Sequence, residues 1–445
     1  MSAGRPWTSA EVAAALGVPA PTKLTFTAVS TDTRHPTPGT LFVALKGERF
    51  DAHDFLAQAR AAGATAAVVR RGTAPVDGLP YFEVDDTLTA LGLLARARRR
   101  LLAAGSPVVA ITGSSGKTTI KEMIRAALAT RWRVHATTAN LNNLVGVPLT
   151  ILGAPDDTDA LVVEAGASVP GEIARLRAVI EPTIAVITNV GYAHVEGFGS
   201  LENVLREKVA LLDGATVAVV GTEPPELATL ARRRVRTVVA GRDTAAEVHP
   251  DAAELDDEGR ARISWAGGAV TLPIPGFHQV DNAMIAAAVA REAGADPARA
   301  LAALAAVRVP GGRGGVVRVG DLTVIDDTYN ANPASLRRAV EFAAWLAGRR
   351  RRPLAVVVGT MLELGPESAR LHAEAAREIA ARKPALVAAV GEFVPAFAAL
   401  GRRVITAPDA GALGPKLRAA LAGNEIVLLK ASRGVALEQV LRHLT

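Results

Sequence analysis

The chain contains no cysteine, which excludes disulfide bonds, thiol nucleophiles and cysteine-based metal sites. Its longest apolar runs have the length of a β-strand and are too short to cross a membrane as a helix. Residues 1–16 also lack the charged segment followed by an apolar segment that marks an export signal. The sequence therefore predicts a cytoplasmic protein with no membrane partner.

A formal net charge of +6 could indicate a nucleic-acid partner, but the arginine clusters do not resemble a binding surface. Each cluster ends a stretch with helical periodicity, and no aromatic residues are interleaved with the arginines. Because cations are stabilised at the C-terminal end of a helix, solvated helix ends are the better interpretation, and no nucleic-acid partner is expected. The clusters are Arg98–Arg100, Arg232–Arg234 and Arg349–Arg352.

Lysine is scarce, since the chain has 8 lysines beside 42 arginines. In a chain this biased toward arginine, each retained lysine is a candidate for chemistry that a guanidinium group cannot perform.

The length of 445 residues suggests about three domains, and 49% hydrophobic residues can fill several cores. Strand-like and helix-like patterns alternate, which predicts an α/β protein. The Gly-rich segment 310–315 is typical of a hinge. The predicted domains are a small α/β domain over residues 1–86, a central nucleotide-binding domain with a doubly wound, mostly parallel sheet over 87–313, and a Rossmann-like domain over 314–445.

An apolar run over residues 107–111 leads into a loop rich in glycine and serine, and a helical pattern follows the loop. This order is typical of a phosphate loop, in which backbone N–H groups face a phosphate at the N-terminus of a helix. Lys117 would reach the β- and γ-phosphates of ATP, and the Thr118 hydroxyl suits Mg²⁺. Ile111 stands where the standard pattern has glycine, so a plain turn before a helix is the alternative. The predicted phosphate-binding residues are Gly113, Ser114, Ser115, Gly116, Lys117, Thr118 and Thr119.

Two further candidates lie where apolar strands end, which is where open parallel sheets hold their ligands. Glu164 ends the run 160–164, and its carboxylate could face Thr118 and complete a Mg²⁺ shell. A strand-end charge in water is the alternative for this residue. His194 lies on a Gly-rich loop after the run 184–189, where a lone histidine is usually a surface residue.

Two segments are rich in amide side chains. The first precedes a glycine and a proline, and its amides could hydrogen-bond a sugar or a peptide, or form a plain turn. The second, residues 326–333, ends the first strand of the last domain, where its polar groups would face a ligand held between domains. Helix capping is the alternative for the second segment. The candidates are Asn140, Asn142 and Asn143 in the first segment, and Asp327, Tyr329, Asn330 and Asn332 in the second.

Seven segments, in their order along the chain, resemble the Mur ligase family, whose members form amide bonds in peptidoglycan synthesis at the expense of ATP. The likeness covers essentially the whole chain. Its phosphate loop is shared by all Mur ligases and by folylpolyglutamate synthases and so indicates only the superfamily, whereas the doubled aspartate followed by Tyr-Asn-Ala-Asn-Pro is far more specific. The segments are 30–34, 41–53, 140–148, 194–200, 326–333, 359–365 and 430–433.

The resemblance implies that the three domains bind a UDP-sugar, ATP and the incoming amine, and that the last domain swings to close the site. It implies that Thr118 and Glu164 hold one Mg²⁺ and that His194 holds a second. Lys208 matches a carbamylated lysine of the family, although from the residues alone it would be a solvated helix lysine. Carbamylation turns the lysine cation into a bidentate anion that can bridge Mg²⁺ ions, and arginine cannot replace lysine in this role. By the same match, the residues that contact the nucleotide are Asn282, Arg313 and Asp327. The catalytic residues are Lys117, Lys208 and His194. The residues that contact substrate are Ser30, Arg34 and Lys46, together with the amide-rich candidates above.

The implied reaction joins D-alanyl-D-alanine to UDP-N-acetylmuramoyl-tripeptide through an acyl phosphate. It uses ATP and two Mg²⁺ ions. The protein is expected to be a monomer. Thr360 stands where the family usually has aspartate, which weakens the case for a charge at that position. Two alternatives stay open. One is another ATP-dependent amino-acid ligase of the superfamily, and the other is a nucleotide-dependent regulatory module that uses no acyl acceptor.

Overall fold

The computed structural model describes residues 6–34, 38–401 and 404–444. The chain begins with a small α/β region. The elements of this region are β1 (Trp7–Thr8), α1 (Ser9–Leu16), β2 (Thr25–Phe26), β3 (Ala28–Ser30), β4 (Thr40–Val43), α2 (Leu56–Ala61), β5 (Ala64–Arg70), β6 (Tyr81–Val84) and α3 (Thr87–Arg99). The last four strands form a parallel sheet in the order β3-β4-β5-β6. Helix α1 begins at a capping box formed by Thr8 and Glu11, which satisfies backbone N–H groups of its first turn.

A six-stranded, entirely parallel sheet forms the centre of the chain. Its elements are β7 (Val108–Thr112), α4 (Lys117–Leu128), β8 (Val134–Ala136), α5 (Gly146–Leu152), β9 (Ala160–Glu164), α6 (Glu172–Ile180), β10 (Ile184–Ile187), α7 (Val195–Phe198), α8 (Leu201–Val209), β11 (Val217–Val220), α9 (Glu226–Arg232) and β12 (Thr237–Val239). The strand order is β12-β11-β10-β7-β9-β8, which confirms the predicted doubly wound sheet. Alternate residues of β7 enter different apolar clusters, so both faces of the sheet are covered.

A three-stranded antiparallel sheet follows the central sheet and was not predicted from the sequence. It consists of β13 (Ala252–Leu255), β14 (Arg260–Trp265) and β15 (Gly268–Pro275), and the helices α10 (His278–Glu292) and α11 (Pro297–Ala303) come next. Side chains of β14, β15 and α10 join the apolar cluster that also contains residues of α4. The antiparallel sheet is therefore packed onto the same body as the central sheet.

A second six-stranded sheet occupies the C-terminal region. Its elements are β16 (Gly315–Val319), β17 (Leu322–Asp327), α12 (Pro333–Arg350), β18 (Leu354–Val358), α13 (Ser368–Ala381), β19 (Leu386–Ala389), α14 (Phe393–Ala398), β20 (Ile405–Thr406), α15 (Ala410–Ala420), β21 (Ile426–Lys430) and α16 (Leu441–Leu444). The strand order is β16-β17-β21-β18-β19-β20, and only β16 pairs antiparallel. The Rossmann-like arrangement predicted for this region is present. Across the described ranges, no helix is long and apolar enough to cross a membrane.

Residues that follow strands of the two large sheets meet across a cleft. The side-chain amide of Asn332, which follows β17, donates a 3.3 Å hydrogen bond to the carbonyl of Ser114, which follows β7. Arg338 on α12 forms an ion pair with Glu223, which belongs to the central region. The C-terminal sheet is therefore in direct contact with the phosphate loop.

Candidate active site

The loop between β7 and α4 is held in place by the end of the neighbouring strand β10. The backbone N–H of Ser115 donates to the side-chain oxygen of Asn189 at 3.0 Å, and the hydroxyl of Thr188 donates to the Ser115 carbonyl at 2.6 Å. The N–H of Ser114 donates to the Asn189 carbonyl at 3.0 Å. Thr188 and Asn189 were not among the predicted site residues, although their place after an apolar strand was a usable signal. The loop is thus already ordered at the N-terminus of a helix, as an anion site requires.

Gly113 lies where no other residue fits. Its φ of +150° is rarely adopted by L-residues, and an added Cβ would stand 1.9 Å from the Thr188 hydroxyl oxygen. The side chain of Thr188 is itself fixed by its hydrogen bond to the loop. The close approach of β7 to β10 therefore depends on glycine at this position.

We expect Gly113→Ala to lower the free energy of unfolding by about 1–3 kcal/mol because it adds backbone strain and a steric clash. Urea unfolding of the two proteins measures the difference. Gly72→Ala is the matched control, since Gly72 also has a positive φ (+75°) but has nothing within 4 Å of an added Cβ. An equal loss in both variants would show that the contact with Thr188 contributes nothing.

Lys117 points back over the phosphate loop. Its Nζ donates a 2.7 Å hydrogen bond to the Gly113 carbonyl, and the residue lines the cleft. Burial lowers the pKa of Lys117, and the nearby positive charge of Arg313 acts in the same direction while Glu164 opposes both. A half-buried cation in this place provides electrostatic stabilisation for a phosphate that enters the loop.

Glu164 is held by hydrogen bonds to its carboxylate and to its backbone. Its two oxygens accept hydrogen bonds of 2.9 Å from the Thr118 hydroxyl and from the Asn142 amide. Its backbone N–H donates to the hydroxyl of Thr137 at 3.0 Å, and Lys121 Nζ donates to the Thr137 carbonyl at 2.6 Å. The predicted proximity of Thr118 and Glu164 is therefore present, and Glu164 is buried rather than a charge in water.

The hydroxyl of Thr118 and the carboxylate of Glu164 are hard oxygen donors, which is the type of ligand that Mg²⁺ prefers. In the described part of the chain, no three His, Cys, Asp or Glu side chains come close enough to hold a metal ion by themselves. Mg²⁺ usually takes one or two protein ligands and completes its shell with water and phosphate oxygens. The pair therefore fits Mg²⁺ bound together with a nucleotide.

His194 and Glu363 meet across the cleft. Nδ1 of His194 lies 2.5 Å from Oε2 of Glu363, and this contact lowers the pKa of Glu363. The backbone N–H of Glu196 donates to the Glu363 carbonyl at 3.1 Å. Both His194 (φ +58°) and Glu363 (φ +64°) have left-handed backbone conformations, which are costly for residues other than glycine.

Lys208 is buried near Lys117, which shows that its interpretation as a solvated helix lysine was wrong. The residue is 2% exposed, and burial together with the positive charge of Lys117 lowers its pKa to about 7. It lies on α8 and does not line the cleft itself. Its amine is therefore neutral much of the time near pH 7, and a neutral amine is nucleophilic.

The C-terminal wall of the cleft carries a partly buried ion pair and an arginine that stacks on a tyrosine. Lys430 Nζ lies 2.5 Å from Asp327 and donates to the Asn330 carbonyl at 3.0 Å. The guanidinium of Arg313 lies 3.6 Å from the ring centre of Tyr329, a cation–π contact. These contacts fix the segment 326–333 over the phosphate loop.

The predicted site residues are mostly brought together in this one cleft. Those that line it are Ser114, Ser115, Gly116, Lys117, Thr118, Thr119, Asn140, Asn142, Glu164, His194, Asn282, Arg313, Asp327, Tyr329, Asn330 and Asn332. Asn332 also caps α12, so the capping alternative holds for it as well. Asn143 lies outside the cleft lining, and its side chain accepts hydrogen bonds from the N–H groups of Val145 and Gly146, as a turn residue does.

Further polar residues of the cleft were not predicted. They are His278, Gln279, Ser335, Arg338 and Lys430. Burial lowers the pKa of His278 to about 3, with contributions from the positive charges of Arg338, Lys430 and Arg242, so its ring is neutral at physiological pH. No periodicity or spacing marks these residues, because their approach depends on tertiary contacts.

Ser30, Arg34 and Lys46 lie apart from the cleft, beyond the carboxyl ends of β3 and β4. Ser30 accepts a 3.1 Å hydrogen bond from the N–H of Asp32, and Arg34 pairs with Asp32 at 2.8 Å. The backbone of Lys46 forms an isolated antiparallel β-bridge with the backbone of Asp51. The carboxyl edge of this sheet therefore carries its own group of cations.

Three family models match successive parts of the chain: the Mur ligase family catalytic domain over residues 25–99, the Mur ligase middle domain over 111–290, and the Mur ligase glutamate ligase domain over 312–433. The chain is 37% identical over 436 residues to the UDP-N-acetylmuramoyl-tripeptide--D-alanyl-D-alanine ligase of Escherichia coli strain K12, covering 95% of this chain and 94% of that one. It is 35% identical over 429 residues to the ligase of the same name from Bacillus subtilis strain 168, covering 94% and 92%.

Solved structures agree with these sequence matches. A crystal structure of MurF from Acinetobacter baumannii superimposes with a TM-score of 0.88 at 31% identity, covering 99% of both chains. The MurF ligase of Thermotoga maritima in complex with ADP gives a TM-score of 0.81 at 28% identity, covering 94% of this chain and 96% of that one.

Proposed function

The chain belongs to the Mur ligase family, and from this we propose that it joins D-alanyl-D-alanine to UDP-N-acetylmuramoyl-tripeptide while converting ATP to ADP and phosphate. The observation that carries the proposal is the near full-length likeness to ligases of that name. The cleft supports it, because a phosphate loop faces an amide-rich segment of a second sheet there. Such a reaction consumes ATP, which fits a cytoplasmic location. Action as a monomer is a separate part of the proposal.

The nucleotide would bind with its phosphates in the loop of residues 113–119. The Thermotoga maritima relative is described in complex with ADP, which supports a nucleotide at this place. Asn282 on α10 is buried beside the loop, and Arg313 and Asp327 line the same cleft from the other side. These three residues would contact the remainder of the nucleotide.

The first chemical step would transfer the γ-phosphoryl group of ATP to the terminal carboxylate of the tripeptide. A carboxylate oxygen forms the new bond to phosphorus, and the bond between phosphorus and the β-phosphate oxygen breaks, which releases ADP. Lys117 would oppose the negative charge that spreads over the phosphoryl oxygens in the transition state. The product is an acyl phosphate, which reacts with amines as a free carboxylate does not.

In the second step the dipeptide amine would attack the acyl carbon. The bond from carbon to the phosphate oxygen breaks, inorganic phosphate leaves, and the amine loses its proton as the amide forms. The segment 326–333, together with Asn140 and Asn142, would hold the two peptides in place. The contact between Asn332 and Ser114 would keep water away from the acyl phosphate while the cleft is closed.

Two Mg²⁺ ions complete the proposal and, when bound, would neutralise charge on the phosphate oxygens. Thr118 and Glu164 would hold one of them. His194 would hold the second together with Lys208 as a carbamate. The buried, unusually acidic ammonium group of Lys208 supports that modification, because only the neutral amine adds to carbon dioxide.

The small N-terminal sheet would bind the UDP part of the sugar nucleotide. Arg34 and Lys46 follow β3 and β4, and Arg70 ends β5, so three neighbouring parallel strands each bring a cation to one edge. A diphosphate carries the complementary charge. Ser30 at the end of β3 can donate its hydroxyl to the same ligand.

The function is tested by phosphate release with Mg-ATP, UDP-N-acetylmuramoyl-tripeptide and a series of amines. We expect D-alanyl-D-alanine to stimulate release at least about 100-fold more than D-alanine, L-alanyl-L-alanine or a free diamino acid, because an analogue that lacks a group leaves buried polar partners unpaired. Equal stimulation by a single amino acid would leave only the broader amide-ligase function. Nucleotide binding with no acceptor-dependent release would favour a regulatory module.

A further inference from the structure

The contact between His194 and Glu363 joins two parts of the chain that belong to different sheets. His194 follows β10 of the central sheet, whereas Glu363 follows β18 of the C-terminal sheet. The 2.5 Å distance between Nδ1 and Oε2 is accompanied by the backbone hydrogen bond from Glu196 to the Glu363 carbonyl. Glu363 is thus bound to the His194 loop through both its side chain and its backbone.

This contact bears on which nitrogen of His194 is available to a ligand. The buried Nδ1 lies in an ion-pair contact with the Glu363 carboxylate without the angle of a formed hydrogen bond, and because an ionised carboxylate only accepts, it favours the form of the imidazole that carries a proton on Nδ1. Nε2 is then left with a free lone pair, and His194 lines the cleft. Metal-binding histidines commonly donate their other N–H to a carboxylate in this way.

Glu363 is held firmly by its own sheet. The N–H of Met361 donates to His372 Nε2 at 2.9 Å, and the N–H of Leu362 donates to the Ser432 hydroxyl at 2.9 Å. His372 is 1% exposed and donates from Nδ1 to the Ser368 carbonyl at 2.8 Å, so its orientation is fixed too. The segment that carries Glu363 therefore moves with the C-terminal sheet rather than with His194.

We propose that Glu363 is a positioning residue that orients His194 for the second metal ion only while the C-terminal sheet lies against the central sheet. Metal binding and closure of the cleft then strengthen each other, because each stabilises the arrangement that the other needs. This inference rests on the proposed function, in which His194 is a metal ligand.

The test is a titration of the full-length protein with Mn²⁺ in the presence of a non-hydrolysable ATP analogue, followed by electron paramagnetic resonance. We expect two Mn²⁺ ions to bind the wild-type protein. In Glu363→Ala the second ion should bind about 10- to 100-fold more weakly, while the first ion, at Thr118 and Glu164, keeps its affinity. Glu363→Gln retains an acceptor for the Nδ1 proton and should recover most of the lost affinity.

Glu367→Ala is the matched control, since Glu367 lies on the same segment but pairs with Arg370 at the surface. An equal loss of the second ion in this control would attribute the effect to a loosened segment and overturn the proposal. Unchanged binding of both ions in Glu363→Ala, or a single ion in the wild-type protein, would overturn it as well. Small-angle scattering supplies a second readout, because Mn²⁺ should compact the wild-type protein more than Glu363→Ala.

The proposed function can fail separately from this inference. If D-alanyl-D-alanine does not stimulate phosphate release by the wild-type protein but the second Mn²⁺ still depends on Glu363, the substrate assignment is wrong and the coupling stands. If release is stimulated as expected and Glu363→Ala binds two ions normally, the function stands and the coupling is wrong.

Discussion

Lys117→Ala should lower kcat by at least about 10³-fold, because a cation at the transferring phosphoryl group contributes most where charge spreads in the transition state. The melting temperature should stay close to that of the wild type. Lys117 lies near Lys208 and Arg313, so its removal eliminates repulsion between cations as well as the hydrogen bond to Gly113.

Steady-state phosphate release and differential scanning fluorimetry measure these two quantities. Lys416→Ala is the control, since Lys416 is exposed and only donates to the Thr406 carbonyl. The control should keep wild-type turnover. A Lys117→Ala variant with near-normal turnover, or one whose activity loss follows a large drop in melting temperature, would contradict the catalytic role.

Lys208→Ala should be nearly inactive, and small carboxylic acids such as acetate or formate should restore part of its activity. The substitution removes a buried side chain and leaves a space that a carboxylate can enter as a substitute for the carbamate. Wild-type protein should gain nothing from the same acids, which separates rescue from a general salt effect.

A second measurement addresses the modification itself. Protein equilibrated with ¹³C-bicarbonate should show a carbamate carbon signal by NMR that is absent from Lys208→Ala. Lys383→Ala, which changes a surface lysine, should keep the signal. Full activity of Lys208→Ala without any added acid would refute a role for the carbamate in the reaction.

Local chemistry made the centre of the site predictable from the sequence. The strand, loop and helix around residues 108–128 follow from an apolar run, glycines that allow positive φ, and a helical pattern. Glu164 was predictable because it ends an apolar strand, and parallel strands present their carboxyl ends to the same ligand. The loop follows from residues close in sequence, whereas the place of Glu164 follows from a general rule about parallel sheets.

Contacts between distant residues could not be predicted in this way. The pairing of Asn332 with Ser114 spans 218 positions, and that of His194 with Glu363 depends on how two sheets pack. The burial of Lys208 was missed because helix periodicity does not say which face a neighbouring segment covers. The antiparallel sheet was missed because most of strand 252–255 is exposed and lacks an apolar alternation.

The left-handed backbone at His194 and Glu363 lowers the stability of the fold, whereas the roles proposed above require the side chains at both positions. Each residue costs the fold about 1–3 kcal/mol that glycine would not, yet glycine has neither imidazole nor carboxylate. A library of variants selected only for survival at high temperature would therefore enrich glycine at both positions. If His194 and Glu363 have the proposed roles, the surviving variants would be more stable and would lose ligase activity, which makes a selection of this kind a further test of those roles.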